Sequence, residues 1–188
     1  MNGRDVALQR PSASRASMIG LRALTPVAFA DFGDLLSPPT RVGDRVLMHD
    51  RLPSVAGCEL QMHLNRVTPG SGVLRLTQLE RHPKTAQLFM PIDVSRYVVI
   101  VAPTLESGAP DLAGLQAFAV SGRIGLVYRR GIWHAGISVL DGEGSFVVAM
   151  WRGGDDDEFT TIPPVDIDLA SVPIVAAGHD DGIGSIGT

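Results

Sequence analysis

Residues 58–103 read CELQMHLNRVTPGSGVLRLTQLERHPKTAQLFMPIDVSRYVVIVAP, and this stretch decides the class of fold. Its apolar and β-branched runs, CELQMHLNRV, VLRLTQLER, AQLFMPI and YVVIVAP, are divided by TPGSG, HPKT and DVSR, whose Gly, Pro, Asp and Ser suit turns. In the first run Glu59, Gln61, His63 and Asn65 are set against Leu60, Met62, Leu64 and Val67. Side chains two apart on a strand share a face, so one wet face and one apolar, core-facing side are expected. YVVIVAP is apolar throughout and predicts a central strand covered on both sides. Short strands without βαβ alternation indicate an antiparallel sandwich or barrel.

The same pattern extends outward in both directions. RVLMHDRL (45–52), LQAFAV (115–120), GLVYR (125–129), HAGISVL (134–140) and FVVAMWR (146–152) read as further strands, and MIGLRAL (18–24) as a short one. TPVAFADFGDLL (25–36) carries a helix start: Thr25 caps, Pro26 suits the first helical position, Phe29 and Phe32 share a face, and Gly33 ends the turn. PDLAGLQAF (110–118) predicts one helical turn after Pro110. The chain of 188 residues suits one domain, set at 19–170, with flexible tails at 1–18 and 171–188.

Composition removes several classes of function. The chain is 45% hydrophobic with a net charge of −4, which offers no electrostatic footprint for nucleic acid or an anionic membrane. No apolar run approaches the roughly 18 residues of a membrane span. Cys58 is the only cysteine, so no intrachain disulfide or thiolate cluster forms, and a reducing, cytoplasmic setting is expected with Cys58 as a small buried hydrophobe. The first twenty residues hold three arginines and several serines but lack the apolar core of a secretory signal.

Chemistry concentrates in two stretches, LERHPKTAQLFMP (79–91) and YRRGIWHAGI (128–137). Glu80 and His82 lie two apart on one run and project together; an inward carboxylate and imidazole cost free energy unless a metal or substrate engages them. With His134 they make a two-histidine, one-carboxylate set with Gln87 adjacent, which suits a divalent ion such as zinc, nickel, manganese or iron. A lone strand histidine is more often structural, and His49, His63 and His179 are read so, His63 on a solvated or interface face. RGGDDDEF (152–159) lacks the oxygen spacing of an EF-hand and reads as a solvated turn, with Arg152 its residue of interest.

The order of these residues resembles cupin barrels. Their first motif has two histidines two apart followed by a glutamate, and their second ends in Pro-x-Gly-x-x-His. Glu80, His82 and Gln87 stand for the first, and Arg129, Gly131 and His134 for the second. A longer likeness runs through LTPVAFADFGDLL, LERHPKTAQLFMPI, YVVIVAP, PDLAGLQAF, GLVYRRGIWH and FVVAMWRGGDDDEF, spanning 21–161 in order, and it is to the ureidoglycolate lyase family. The resemblance implies an all-β, cupin-like double-stranded β-helix (jelly-roll barrel) with a short N-terminal helix, paired as a homodimer. It also implies a small-molecule reaction, the splitting of ureidoglycolate into glyoxylate and urea in allantoin breakdown.

That reaction needs a base at a hydroxyl, an acid at the leaving nitrogen and a cation at a carboxylate. His82 is the expected base, His134 its acid partner or metal co-ligand, and Glu80 the group that orients His82. Lys84 and Arg152 are candidates for the substrate carboxylate, Gln87 for the ureido end, and Trp133 for a pocket wall. Glu80, His82, Gln87 and His134 are the candidate ligands of a divalent nickel, zinc or manganese ion, and no organic cofactor is expected. Relatives commonly show His-Pro where this chain has Ala135 and Gly136, and histidine where it has Arg129. Those departures keep two alternatives open: a cupin enzyme acting on another small hydroxy or ureido acid, and a non-catalytic ligand-binding barrel.

Overall fold

The structure is a computed structural model that describes residues 18–154 and 157–172. In chain order the elements are β1 (Met18–Gly20), β2 (Arg22–Ala23), α1 (Pro26–Phe29), β3 (Gly33–Leu36), β4 (Glu59–Val67), β5 (Val73–Arg81) and β6 (Gln87–Pro91). They continue as β7 (Arg96–Ala102), β8 (Gln116–Ser121), β9 (Gly125–Tyr128), β10 (Trp133–His134), β11 (Ser138–Val139), β12 (Gly144–Arg152) and β13 (Glu158–Asp168). Eight strands form one sheet in the order β1-β13-β5-β10-β7-β8-β2, with β11 also on β7; five form a second, β3-β9-β6-β12-β4.

The larger sheet curls because its two ends are consecutive in the chain. β1 lies parallel to β13 and β2 parallel to β8, with only Leu21 between them. Leu76, Leu79, Val98, Ile100 and Ile167 pack inside the curl with Leu21. Residues alternating with these on β7, Tyr97, Val99 and Val101, face the second sheet and meet Phe89, Phe146 and Val148. Double coverage is what the unbroken apolar run YVVIVA requires. The expected all-β architecture is therefore the observed one, with a short N-terminal helix, and no helix among the described residues is long and apolar enough to cross a membrane.

Thr25 caps α1 by accepting a hydrogen bond from the Ala28 N–H at 3.1 Å, and Phe29 and Phe32 are both buried. Gly33, however, opens β3 instead of closing a turn: it pairs with Tyr128, and a Cβ there would sit 1.9 Å from the Val127 carbonyl oxygen, so only glycine permits the approach. Residues 45–52 are not a strand. Met48 and Leu52 plug the outer face of the smaller sheet from a loop, and the Trp151 indole donates to the Leu52 carbonyl at 3.1 Å.

After Pro110 the chain makes a turn, not a helix, stapled by Asp111 Oδ1 accepting from the Ala113 N–H at 3.0 Å. HAGISVL is split between β10 and β11. The eleven-residue β13, EFTTIPPVDID, was not foreseen, because Pro163 and Pro164 suggest a break; the sheet absorbs them in a register shift between Thr161 and Val165.

The face of β4 is reversed relative to its binary pattern. Leu60, Met62 and Leu64 are 46%, 65% and 70% exposed, and on the other face the polar residues are exposed as well, with His63 and Asn65 at the rim of an inter-sheet cavity. Cys58 is half-buried. Of the expected tails, Met18 already belongs to β1, and Ser171 Oγ accepts from the Leu21 N–H at 2.7 Å; residues 1–17 and 173–188 lie outside the described residues.

Candidate active site

β10 is only two residues long, yet it sits between β5 and β7 with His134 paired to Glu80 on one side and Val101 on the other. Cross-strand partners share a face, so His134 and Glu80 point the same way, and His82, two residues after Glu80, joins them. Gly131 fixes the loop before β10 by donating to the His82 carbonyl at 2.8 Å. Ligand atoms of Glu80, His82 and His134 all lie within 4.8 Å of one another, and the two imidazole rings are 5.4 Å apart.

The smaller sheet completes the cluster. Gln87 and Tyr128 are paired across β6 and β9. Gln87 Oε1 is 3.0 Å from His134 Nε2, and the Tyr128 ring stacks on the His134 ring at 4.3 Å. His134 Nδ1 donates to the Ile132 carbonyl at 2.9 Å, while Glu80 Oε1 lies 3.4 Å from Nε2. Every neighbour of this buried ring is thus an acceptor, an arrangement satisfied by an imidazolium or by a cation at Nε2. The contact with His134 holds the Glu80 carboxyl below the usual carboxylate range, against the upward push of burial.

His82 is oriented from outside the predicted set. Its Nδ1–H donates to Asp157 Oδ1 at 2.7 Å, and Asp157 Oδ2 receives Arg152 Nη1 at 2.7 Å. Burial would raise the Asp157 carboxyl, but the contacts with His82 and Arg152 outweigh it and the net shift is downward. An ionised Asp157 accepts only, which puts the His82 proton on Nδ1 and leaves Nε2 bare. That Nε2 is buried and has no hydrogen-bond partner in the described structure, as is also true of the Tyr128 hydroxyl and Thr85 Oγ1. Burial, then the neighbouring His134 charge, lowers the His82 pKa; Asp157 and Glu80 pull the other way.

A cavity of about 260 Å³ reaches this cluster through Glu80 and Gln87, with His63, Asn65 and Arg152 completing its polar lining over a floor that includes Phe89 and Val148; His82 and His134 are buried behind that lining and do not form part of it. Lys84 is exposed and does not line it. Trp133 lies on the opposite face of β10 from His134, as strand alternation demands. It is buried in the larger sheet's own core, donates to the Gly108 carbonyl at 3.1 Å and carries the Arg81 guanidinium 4.5 Å above its ring. Arg129 and Arg130 are both exposed; Arg129 bonds the Ala30 carbonyl in the wall of a larger, 590 Å³ cavity. That cavity holds none of Glu80, His82, Gln87 or His134, so chemistry and not size locates the site.

Sequence reasoning missed Asp157, Tyr128 and the cavity bordered by His63 and Asn65, although His63 lies on an exposed face as expected. Asp157 was hidden in the acidic run read as a solvated turn. Its signal was β13: Glu158 pairs with Arg81, so the preceding residue meets His82. Tyr128 closes an apolar run and carries no polar pattern of its own.

An all-β, barrel-shaped sheet with two buried imidazoles and a carboxylate beside an inter-sheet cavity is the kind of arrangement that holds small molecules. The family profile described as ureidoglycolate lyase matches residues 16–168. A ureidoglycolate lyase of Burkholderia mallei (strain NCTC 10229) is 35% identical over 146 residues, covering 73% of this chain and 84% of that protein. A putative ureidoglycolate lyase of Agrobacterium fabrum is 30% identical over 157 residues, 80% of this chain and 95% of its own. A crystal structure of dTDP-4-dehydrorhamnose 3,5-epimerase from Elizabethkingia anophelis aligns over 52% of this chain and 53% of its own, with a TM-score of 0.37 and 15% identity. The chain belongs to the ureidoglycolate lyase family.

Proposed function

We propose that this protein is a ureidoglycolate lyase that splits ureidoglycolate into glyoxylate and urea by eliminating urea across a C–N bond. Family membership over most of the chain supports the reaction class. The observation that carries the mechanism is the buried, bare Nε2 of His82, backed at Nδ1 by Asp157.

Ureidoglycolate bears a hydroxyl, a carboxylate and a urea nitrogen on one carbon. His82 Nε2 takes the hydroxyl proton, the carbonyl of glyoxylate forms, and the C–N bond breaks with its electrons going to urea nitrogen. His134, ringed by acceptors and suited to the imidazolium form, gives that nitrogen a proton. Glu80 and Gln87 hold His134, and Tyr128 packs its ring. Arg152, kept in place by Asp157, faces the carboxylate, for which its planar fork is shaped. Water is not a reactant in this elimination.

The donor set also fits a divalent ion such as nickel, zinc or manganese. Two imidazoles and a carboxylate within 4.8 Å suit it, and the bare His82 Nε2 and the acceptor-ringed His134 are the atoms it would satisfy. Glu80, His82 and His134 would hold it with Gln87 beside them, and it would supply Lewis-acid polarisation of the hydroxyl oxygen.

The reading extends to a cytoplasmic homodimer acting in allantoin breakdown. β4 is an edge strand paired only with β12, and its outward row Leu60, Met62 and Leu64 is the apolar surface a second copy would cover. The test is to incubate purified protein with ureidoglycolate and follow urea, glyoxylate and ammonia, before and after chelation, with metal content measured on the same sample. Urea and glyoxylate in equal amounts support a lyase; release of ammonia in place of urea contradicts it.

A further inference from the structure

We propose that His63 reads the distal end of the ureido group and thereby sets the leaving group this site accepts, a urea in preference to a simple amide. The inference rests on the lyase reading. β4 presents His63 and Asn65 to the cavity because its apolar row points outward. Registers across the smaller sheet give His63 its address. Gln87, Met150 and Gln61 form one cross-strand row, and Phe89, Val148 and His63 form the next row on the same face.

Adjacent rows on one face are about 7 Å apart along the strands. β12 lies between β6 and β4, so the backbones of Gln87 and His63 are about 12 Å apart on this face, and the two side chains approach an N–C(=O)–N group from opposite sides of the cavity that both line. Asn65 lies a further row away. Arg152 lies beyond the Gln87 row in the opposite direction, so a substrate with its carboxylate at Arg152 lays its ureido group towards His63. A neutral imidazole has one donor and one acceptor nitrogen, matching the carbonyl and the terminal NH2 of a urea. No hydrogen bond or ion pair among the described residues engages His63, whereas its strand is tied three residues on, from the opposite face, by Arg66 bonding Glu143, Asp93 and Ser145.

The experiment compares kcat/KM for ureidoglycolate with that for 2-acetamido-2-hydroxyacetate, in which a methyl replaces the terminal NH2. The wild-type preference for the ureido substrate is expected to be about tenfold or more, since one polar group must go unmatched when the analogue binds. His63→Ala should bring the ratio to within about threefold, mainly through a higher KM for ureidoglycolate, and His63→Gln, which keeps a donor and an acceptor, should restore part of it. An unchanged ratio in His63→Ala, with wild-type cleavage of ureidoglycolate intact, overturns this inference alone. Failure of the wild-type protein to cleave ureidoglycolate overturns the lyase reading and this inference with it.

Discussion

Asp157 is one side chain that decides how His82 works. It raises the His82 pKa and fixes the tautomer, while burial and His134 push the pKa down further than Asp157 and Glu80 can restore. Because the net shift is downward, the neutral base persists below the ordinary histidine value of about 6.5, and kcat/KM should fall only as pH drops through that lowered pKa. In Asp157→Asn the raising influence is gone, so the acidic limb of the pH–rate profile should move lower still. The rate at the plateau should drop by about 10²-fold or more, because Nδ1–H is no longer held. A limb displaced upward would contradict the assignment. The same downward shift makes folding stability decline as pH falls below the unfolded value of about 6.5, where the unfolded chain takes up a proton that buried His82 resists.

Tyr128 gives a second test at this scale. Its hydroxyl is buried without a partner, and burial pushes its pKa well up. If the ring serves only to pack His134, Tyr128→Phe removes an unsatisfied group and should leave stability unchanged or raise it by about 1 kcal/mol, read as a higher Tm. A large loss of kcat with unchanged Tm would instead put the hydroxyl in contact with substrate.

Among the elements, the site depends on strands that are short or displaced from their sequence pattern. β3 hangs on Gly33, whose added methyl would meet the Val127 carbonyl; Gly33→Ala should cost about 3 kcal/mol and lower Tm without altering KM in the folded fraction. β4 carries apolar residues outward, so Met62→Lys should convert a dimer to monomer by light scattering while the monomer stays folded.

These elements also show what the sequence reveals and what it hides. The strands β5 to β9 and β12 were legible because their periodicity and punctuation agree, and Glu80, His82, Gln87 and His134 were legible because polar residues stand out in apolar runs. β13 was hidden by Pro163 and Pro164, and with it the register that carries Asp157 to His82. The facing of β4 was hidden because alternation fixes which residues share a face but not which face is covered. Trp133, expected as a pocket wall, lies instead in the larger sheet's core, because strand parity sends it to the face opposite His134.

At the level of the whole molecule, the curled larger sheet sets β10 in place, and the smaller sheet closes over it with Gln87, Tyr128 and Arg152. The residues that meet are far apart in the chain, which is why packing between sheets, through Val99, Val101, Phe89 and Phe146, stabilises the geometry of the candidate site as much as the fold. The claim on which the rest depends is that His82 is the base of a urea-releasing elimination. It is tested most directly by the rate of glyoxylate and urea release from ureidoglycolate by the wild-type protein and by His82→Ala, each checked for folding by circular dichroism. The expected result is equimolar release by the wild type and a rate at least about 10²-fold lower in the variant; a folded His82→Ala protein that retains the wild-type rate would contradict it.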